Sequence, residues 1–201
     1  MAKYGEIHKA IRQKFNIRRR RDSLPHGSHR GYTRNLLAAL WAELGYNKGA
    51  EIGVRRGRFS MKLCQCNPDL ELYCIDPWAP YAGRKYTKQR QDAIYNQAIK
   101  NLTPYNCKII RKASMEAIKQ FDDDSLDFVF IDGDHTFDHV CPDIIYWSNK
   151  VRSGGMVAVH DYYDFGWAGV VEAVRAYTHT HAINPWYVTK ELEPTAYWVK
   201  P

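Results

Sequence analysis

The sequence predicts an α/β fold, a doubly wound and mostly parallel sheet with helices on both faces. Three observations carry that prediction. Short apolar segments alternate with helical ones from about residue 50 to residue 177, the rhythm of repeated strand–helix–strand units. One segment, Leu126–Ile131 (LDFVFI), is apolar on both faces and therefore belongs at a sheet centre. The chain has 201 residues and is 45% apolar, enough for one sizeable core and too short for two comfortable domains.

The elements follow in order. Ile7, Ile11 and Phe15 stand four residues apart in an amphipathic helix from Tyr4 to about Phe15. Arg18–Gly31 holds Pro25, two Gly and two Ser and reads as a loop. From Thr33, Leu36, Leu37, Leu40, Trp41 and Leu44 recur at helical spacing, and Gly45 is a stop. Ala50–Val54 is a short strand, Arg58–Cys66 a helix, and Glu71–Ile75 a strand that runs into Asp76-Pro77. Lys85–Leu102 is a long polar helix, Cys107–Ile110 a strand, and Met115–Phe121 a short helix stopped by Asp122–Asp124. After Leu126–Ile131 come a helix at Phe137–Lys150, a turn at Gly154-Gly155, a strand at Met156–Val159 and a helix at Ala168–Tyr177. Tyr187–Thr189 and Ala196–Val199 close the chain as an antiparallel pair, so the sheet ends in an antiparallel C-terminal strand.

Charge divides the chain. Basic residues outnumber acidic ones by 29 to 22, a net charge of +7. Residues 1–34 hold ten basic groups against Glu6 and Asp22, a local balance of +8, and the remainder stands at −1. The expectation is a basic N-terminal helical extension over 1–46 and a near-neutral domain over 47–201. No stretch reaches the roughly 18 uninterrupted apolar residues that a membrane span requires. The stretch MAKYGEIHKAIRQKF has no apolar core of a secretory signal. It shares its basic, acid-poor character with organelle transit peptides, but a soluble first helix is the preferred reading. Five cysteines, odd in number and scattered, read as buried reduced thiols, because Cys64-x-Cys66 lacks a second pair at zinc spacing. A reducing, cytoplasmic location follows as the expectation.

In an open α/β sheet ligands bind beyond the carboxyl ends of the strands. The first strand of the repeat carries Glu51-x-Gly53-x-x-x-Gly57, whose glycines permit a tight turn and close backbone approach to a ligand. The next ends in Asp76, 23 residues after Gly53, where a carboxylate can accept both hydroxyls of a ribose. The alternative for Asp76 is a residue that starts the turn before Pro77. The glycine spacing is not G-x-G-x-x-G, which disfavours a nicotinamide oxidoreductase, and no G-K-[ST] phosphate cradle is present. Two further strands end in Asp132-Gly-Asp134-His135 and His160-Asp161. Closely packed carboxylates repel unless a cation or proton is shared, and a hard divalent ion with oxygen ligands is one remedy. For Asp132 and Asp161 the functional reading is preferred. For His135, Asp138 and His139 the preferred reading is capping or a solvent-facing position on the next helix.

Taken together, Glu51-x-Gly53-x-x-x-Gly57, Asp76-Pro77-Trp78, DFVFIDGDHTFDHVCPDI (Asp127–Ile144) and Gly154-Gly155 before VAVHDY resemble class I S-adenosylmethionine-dependent methyltransferases. The nearest branch holds the metal-dependent sugar and macrolide O-methyltransferases, and the resemblance covers about Ala50–Tyr177. It implies a Rossmann-like sheet and S-adenosyl-L-methionine as cofactor. Glu51, Gly53 and Gly57 would line its methionine end, Asp76 its ribose, and Ser114 its adenine, with Asp132 also against the cofactor. It further implies Mg2+ or another divalent metal on Asp132, His160 and Asp161, and Asp134 as general base. His160 departs from the branch, which places a carboxylate or amide there, and imidazole suits softer metals. Without a metal, His160 is itself a base near neutral pH.

The expected partner is a small-molecule hydroxyl acceptor. The aromatics Trp78, Tyr81, Tyr162, Tyr163, Phe165 and Trp167 suit a stacked sugar or base. Arg18–Arg21 reads either as a phosphate-binding arm for nucleic acid or a nucleotide-activated acceptor, or as a solvated loop. A homo-oligomer is compatible with the sequence. RNA methylation and nucleic-acid binding without catalysis are the competing functions.

Overall fold

The computed structural model describes residues 4–17, 26–27, 31–80, 86–166 and 168–201. The arginine run 18–21, Tyr81 and Trp167 lie outside the described residues. In chain order the elements are α1 (Tyr4–Lys14), β1 (His26–Gly27), α2 (Arg34–Glu43), β2 (Lys48–Ile52), α3 (Arg58–Cys66), β3 (Glu71–Ile75), α4 (Lys88–Leu102) and β4 (Cys107–Ile110). Then follow α5 (Ser114–Ala117), a 3-10 turn (Ile118–Gln120), β5 (Leu126–Ile131), α6 (Phe137–Lys150), β6 (Val151–Val159), α7 (Val170–Thr180), β7 (Trp186–Val188) and β8 (Ala196–Val199).

The sheet runs β1-β7-β8-β6-β5-β2-β3-β4. Strand β8 is antiparallel to both β6 and β7, and every other pairing is parallel. The expected doubly wound sheet with an antiparallel C-terminal strand is therefore the architecture observed. From β2 the chain builds outward through β3 and β4, then returns to β5 on the other side of β2. That reversal opens a crevice beyond the carboxyl ends of β2 and β5.

Strand β5 explains the two layers. Phe128 and Phe130 point into a core shared with α1 to α4, while Val129 and Ile131 point into a second core shared with α5, α6 and α7. Trp41 of α2 stacks on Phe128 with ring centroids 4.1 Å apart, and Phe59 of α3 packs on Phe130 at 4.3 Å. Helix α1 buries Ile7 and Ile11, and the following Phe15 meets Tyr197 of β8 at 5.3 Å. The first two helices are thus part of the sheet's own covering layer, and the core is continuous across residues 46 and 47.

Several boundaries moved for local reasons. The predicted turn at Gly154-Gly155 lies inside β6, which begins at Val151. Gly154, at φ +73°, sits where the pairing of β5 with β6 slips between Leu126 and Phe128. The backbone N–H of Gly154 donates to Lys200 and the Lys200 N–H returns to Gly155, both at 2.9 Å, so the bulge is paired rather than exposed. Helix α4 starts three residues later than predicted because Thr87 caps it, its hydroxyl accepting from the Arg90 N–H at 3.1 Å.

Candidate active site

Backbone bonds just past the strand ends draw four loops together. Gly53 N–H donates to Ile75 at 2.8 Å, Asp132 N–H to Ile52 at 2.7 Å, and His160 N–H to Ile131 at 2.9 Å. Gly53 is required at this junction. Its φ is +91°, and a Cβ there would stand 2.0 Å from the Asp132 carbonyl oxygen. The loop after β2 therefore lies directly on the loop after β5, and Glu51, Gly53 and Asp132 share one corner.

Glu51 is 2% exposed and accepts a hydrogen bond from the Ser60 hydroxyl. Burial pushes its carboxyl up to about 8, with Ser60 opposing the rise and the Asp132 charge adding to it. Gly57, at φ +72°, opens α3. Asp76 starts the turn before Pro77, as one of its two sequence readings has it. Its Oδ1 accepts from the Trp78 N–H at 2.7 Å and turns the chain at Pro77. Its Oδ2 accepts from the Arg55 N–H at 2.9 Å and ties β3 to the glycine loop. Each oxygen retains a second lone pair for a ligand. Ser114 starts α5, donates to Asp143 Oδ1 at 2.5 Å and accepts from Trp147 Nε1–H at 2.7 Å. Burial pushes Asp143, which the sequence did not single out, up to about 6.

At the other corner two carboxylates and two imidazoles meet. His160 is 3% exposed, and its Nδ1 lies 3.2 Å from Asp161 Oδ1 and 3.5 Å from Asp132 Oδ1. His135 Nε2 lies 3.0 Å from Asp161 Oδ2 and 3.6 Å from Asp132 Oδ1. Burial works against the charge of Asp132, but its bonds to His135 and His160 prevail and hold it at about 2. Burial likewise lowers His160, yet Asp132 and Asp161 prevail and raise it to about 9. The remaining nitrogen, His160 Nε2, is in contact with the Arg34 guanidinium at the start of α2. Arg34 Nη1 is also 3.9 Å from Asp132 Oδ2.

Asp134 stands beside this group rather than in it. Its Oδ1 accepts from the Thr136 N–H at 2.8 Å and the Thr136 hydroxyl at 2.7 Å, and His139 Nδ1 is 3.8 Å away. Although burial opposes the change, the Thr136 bonds lower its pKa and keep it ionised.

Single ligand atoms of Asp132, His135 and Asp161 lie within 4.8 Å of one another, as do those of His160, Asp161 and Glu193. Neither group is the set Asp132, His160 and Asp161 expected from the sequence: His135 stands in place of His160 beside Asp132 and Asp161, and His160 groups instead with Asp161 and Glu193. The composition of this corner is unlike an all-oxygen magnesium cage: two imidazoles replace oxygen donors, and a guanidinium is bonded into it.

His135 faces Asp132 and Asp161, so the preferred reading of it as a capping or solvent-facing residue is corrected. Its place three residues after Asp132 was the available signal. Arg34 carried none, being 98 residues from Asp132 in sequence. Of the aromatics, Trp78 and Tyr162 belong to the core, Trp78 donating from Nε1 to Arg55 at 2.7 Å and Tyr162 packing on Trp186 at 5.6 Å. Tyr163 and Phe165 pair edge-on at 4.1 Å, and Phe165 meets His135 at 5.9 Å.

The model of a methyltransferase domain family matches residues 50–162, more than half of the chain. The chain belongs to that methyltransferase family. No curated protein matches it by sequence. Among solved structures, this methyltransferase is similar to the O-methyltransferase TomG from Streptomyces achromogenes, involved in tomaymycin synthesis and in complex with S-adenosylmethionine. The identity is 17%, the TM-score 0.61, and the match covers 98% of this chain and 89% of that one. It is similar also to an O-methyltransferase from Bacillus cereus in complex with S-adenosylhomocysteine, at 14% identity and TM-score 0.61, covering 100% and 93%. A candidate caffeoyl-CoA O-methyltransferase from Staphylococcus aureus matches at 15% identity and TM-score 0.60, covering 100% and 93%. At these identities the likeness is one of fold, that of class I S-adenosylmethionine-dependent methyltransferases. Among the described residues, no helix is long and apolar enough to cross a membrane.

Proposed function

We propose that this methyltransferase transfers the methyl group of S-adenosylmethionine to a hydroxyl oxygen of a small, sugar-like acceptor. The observation that carries the reading is the contact of the Gly53 backbone with Asp132, which brings a cofactor-type corner against an acid–imidazole corner in one crevice. The cofactor supplies a sulfonium methyl that is already activated for displacement.

The residues fit it in three places. Glu51 is a buried carboxylate whose ionisation a cationic amino group would restore, so it and the loop that Gly53 and Gly57 turn at positive φ take the methionine end. Asp76 is fixed by two amide N–H groups and can accept from a pair of ribose hydroxyls. Ser114, immobilised between Asp143 and Trp147, bounds the adenine. The acceptor enters over Tyr163 and Phe165. Asp134, ionised at neutral pH and contacted at Oδ1 by Thr136, takes the acceptor proton at Oδ2. His160 holds Asp132 and Asp161 together and fixes the wall against which the acceptor is aligned.

The test is calorimetric titration of the folded protein with S-adenosylmethionine and, separately, NAD. Saturable one-to-one binding of S-adenosylmethionine in about the micromolar range is expected. Binding of NAD in its place would overturn the reading. An RNA acceptor is the competing case and rests on Arg18–Arg21. RNA binding that falls steeply with salt, and is lost when those four residues become Ala, would favour it.

A further inference from the structure

Arg34 is the one cation bonded into the acid–imidazole corner among the described contacts, and it comes from outside the matched residues 50–162. Its position is over-determined. Thr33 caps α2, its hydroxyl accepting from the Asn35 N–H at 3.3 Å. The Arg34 backbone N–H donates to Glu191 Oε1 at 2.7 Å, and that oxygen also accepts from the Thr189 hydroxyl at 2.8 Å. The guanidinium carbon stands 5.5 Å from the centroid of Phe59, whose ring face attracts a cation. Behind it, Leu37, Leu40 and Trp41 anchor α2 in the core. A residue held at its backbone and at its guanidinium head is not a side chain sweeping through solvent.

Arginine does not deprotonate in proteins. Here it presents a permanent positive charge to Asp132 and takes up the Nε2 side of His160, whose Nδ1 faces Asp132 and Asp161. Asp132 therefore has a neutralising cation within the chain, and His160 links it to Asp161.

We propose that Arg34 is the built-in cation of the acceptor corner, standing in by charge for a divalent ion, and that it positions His160 for methyl transfer without one. The proposal rests on the methyltransferase reading above, since it assigns a role within that site. Arg34 acts through His160 and Asp132 and is thus a positioning residue. The consequence is specific: removing the guanidinium leaves two carboxylates and two imidazoles without their cation, which is a metal site.

The experiment measures binding of Mn2+ alone to the wild type, Arg34→Met, Arg34→Lys and the double variant Arg34→Met with Asp132→Asn, by the electron-spin resonance of free Mn2+. The wild type and Arg34→Lys are expected to bind weakly, with Kd above about 1 mM. Arg34→Met is expected to bind at least about tenfold more tightly, because the like charge is gone, and the double variant to lose that gain. A merely structural role for Arg34 would not create metal affinity that depends on Asp132.

Micromolar Mn2+ binding by the wild type, or an Arg34→Met protein that binds no more tightly than the wild type, overturns the proposal. The wild-type measurement needs no variant to fold. Arg34→Gln, which keeps a hydrogen-bond donor for Nε2 without the charge, repeats the decisive comparison with less disturbance to the fold. S-adenosylmethionine binding recorded on the same samples reports on the methyltransferase reading separately, so failure of either idea is recognisable.

Discussion

Replacing Glu51 with Gln keeps the size of a buried side chain and removes its charge. Burial moves the Glu51 carboxyl from 4.5 to about 8. The folded chain therefore holds a proton that the unfolded chain releases, and the stability contributed at this position falls as pH rises between those two values. At about 1.4 kcal/mol per pH unit, the cost at Glu51 is at most about 5 kcal/mol above pH 8 and about 3 kcal/mol at pH 7. The neutral amide escapes it. The expected outcome is a Glu51→Gln protein more stable than the wild type, by under about 1 kcal/mol near pH 5 and by several kcal/mol near pH 8.5. Urea unfolding of both proteins across that range reads the difference. The same substitution is expected to weaken S-adenosylmethionine binding at least about tenfold, because no carboxylate remains to meet the cationic amine. A stability difference that stays constant with pH would refute the reasoning.

Other outcomes follow from the same corner. Asp76→Ala should abolish S-adenosylmethionine binding in calorimetry, and should also lower stability by about 1–3 kcal/mol, since two backbone N–H groups lose their acceptor. A protein that melts normally and binds the cofactor unchanged would remove Asp76 from the site. Gly53→Ala should cost at least about 1–3 kcal/mol from the backbone conformation alone, with the clash against Asp132 added, read as a large fall in Tm. Thr87→Ala, far from the chemistry, should cost about 1 kcal/mol through the lost cap of α4 and leave cofactor binding unchanged.

The strands were legible because burial on two faces leaves a plain mark. LDFVFI cannot sit at an edge, and β5 does lie at the centre, with its phenylalanines and aliphatics sorted onto opposite layers. Helix α6 was also legible over its full length, from the Asp-Gly-Asp-His-Thr turn to Lys150. The strand ends pointed to Glu51, Gly53, Asp76 and Asp132, which the structure brings around one crevice, because topology fixes where such ends meet. What stayed hidden depended on contacts between distant segments. Arg34 resembles any basic residue at a helix start until α2 packs on Phe128 and aims it at His160. The Gly154-Gly155 pair looks like a turn until Lys200 supplies the bonds that make it a bulge in a longer strand. Trp78 and Tyr162 belong to aromatic-rich loops by sequence, yet each finds a core partner that no local pattern announces.

Phe130 has a consequence of its own. Its ring lies 4.3 Å from Phe59 on one side and 5.8 Å from the His160 imidazole on the other, centroid to centroid. Phe59 sits on α3, the helix that Gly57 opens at the cofactor corner, and it also carries the Arg34 guanidinium on its face. The two corners of the crevice thus bear on one aromatic plate, which has no room to yield in a close-packed interior. Displacement of α3 as a ligand enters would be transmitted to the imidazole by direct contact, like load through a keystone. A smaller residue at 130 would open a cavity against both Phe59 and His160 and uncouple the two corners.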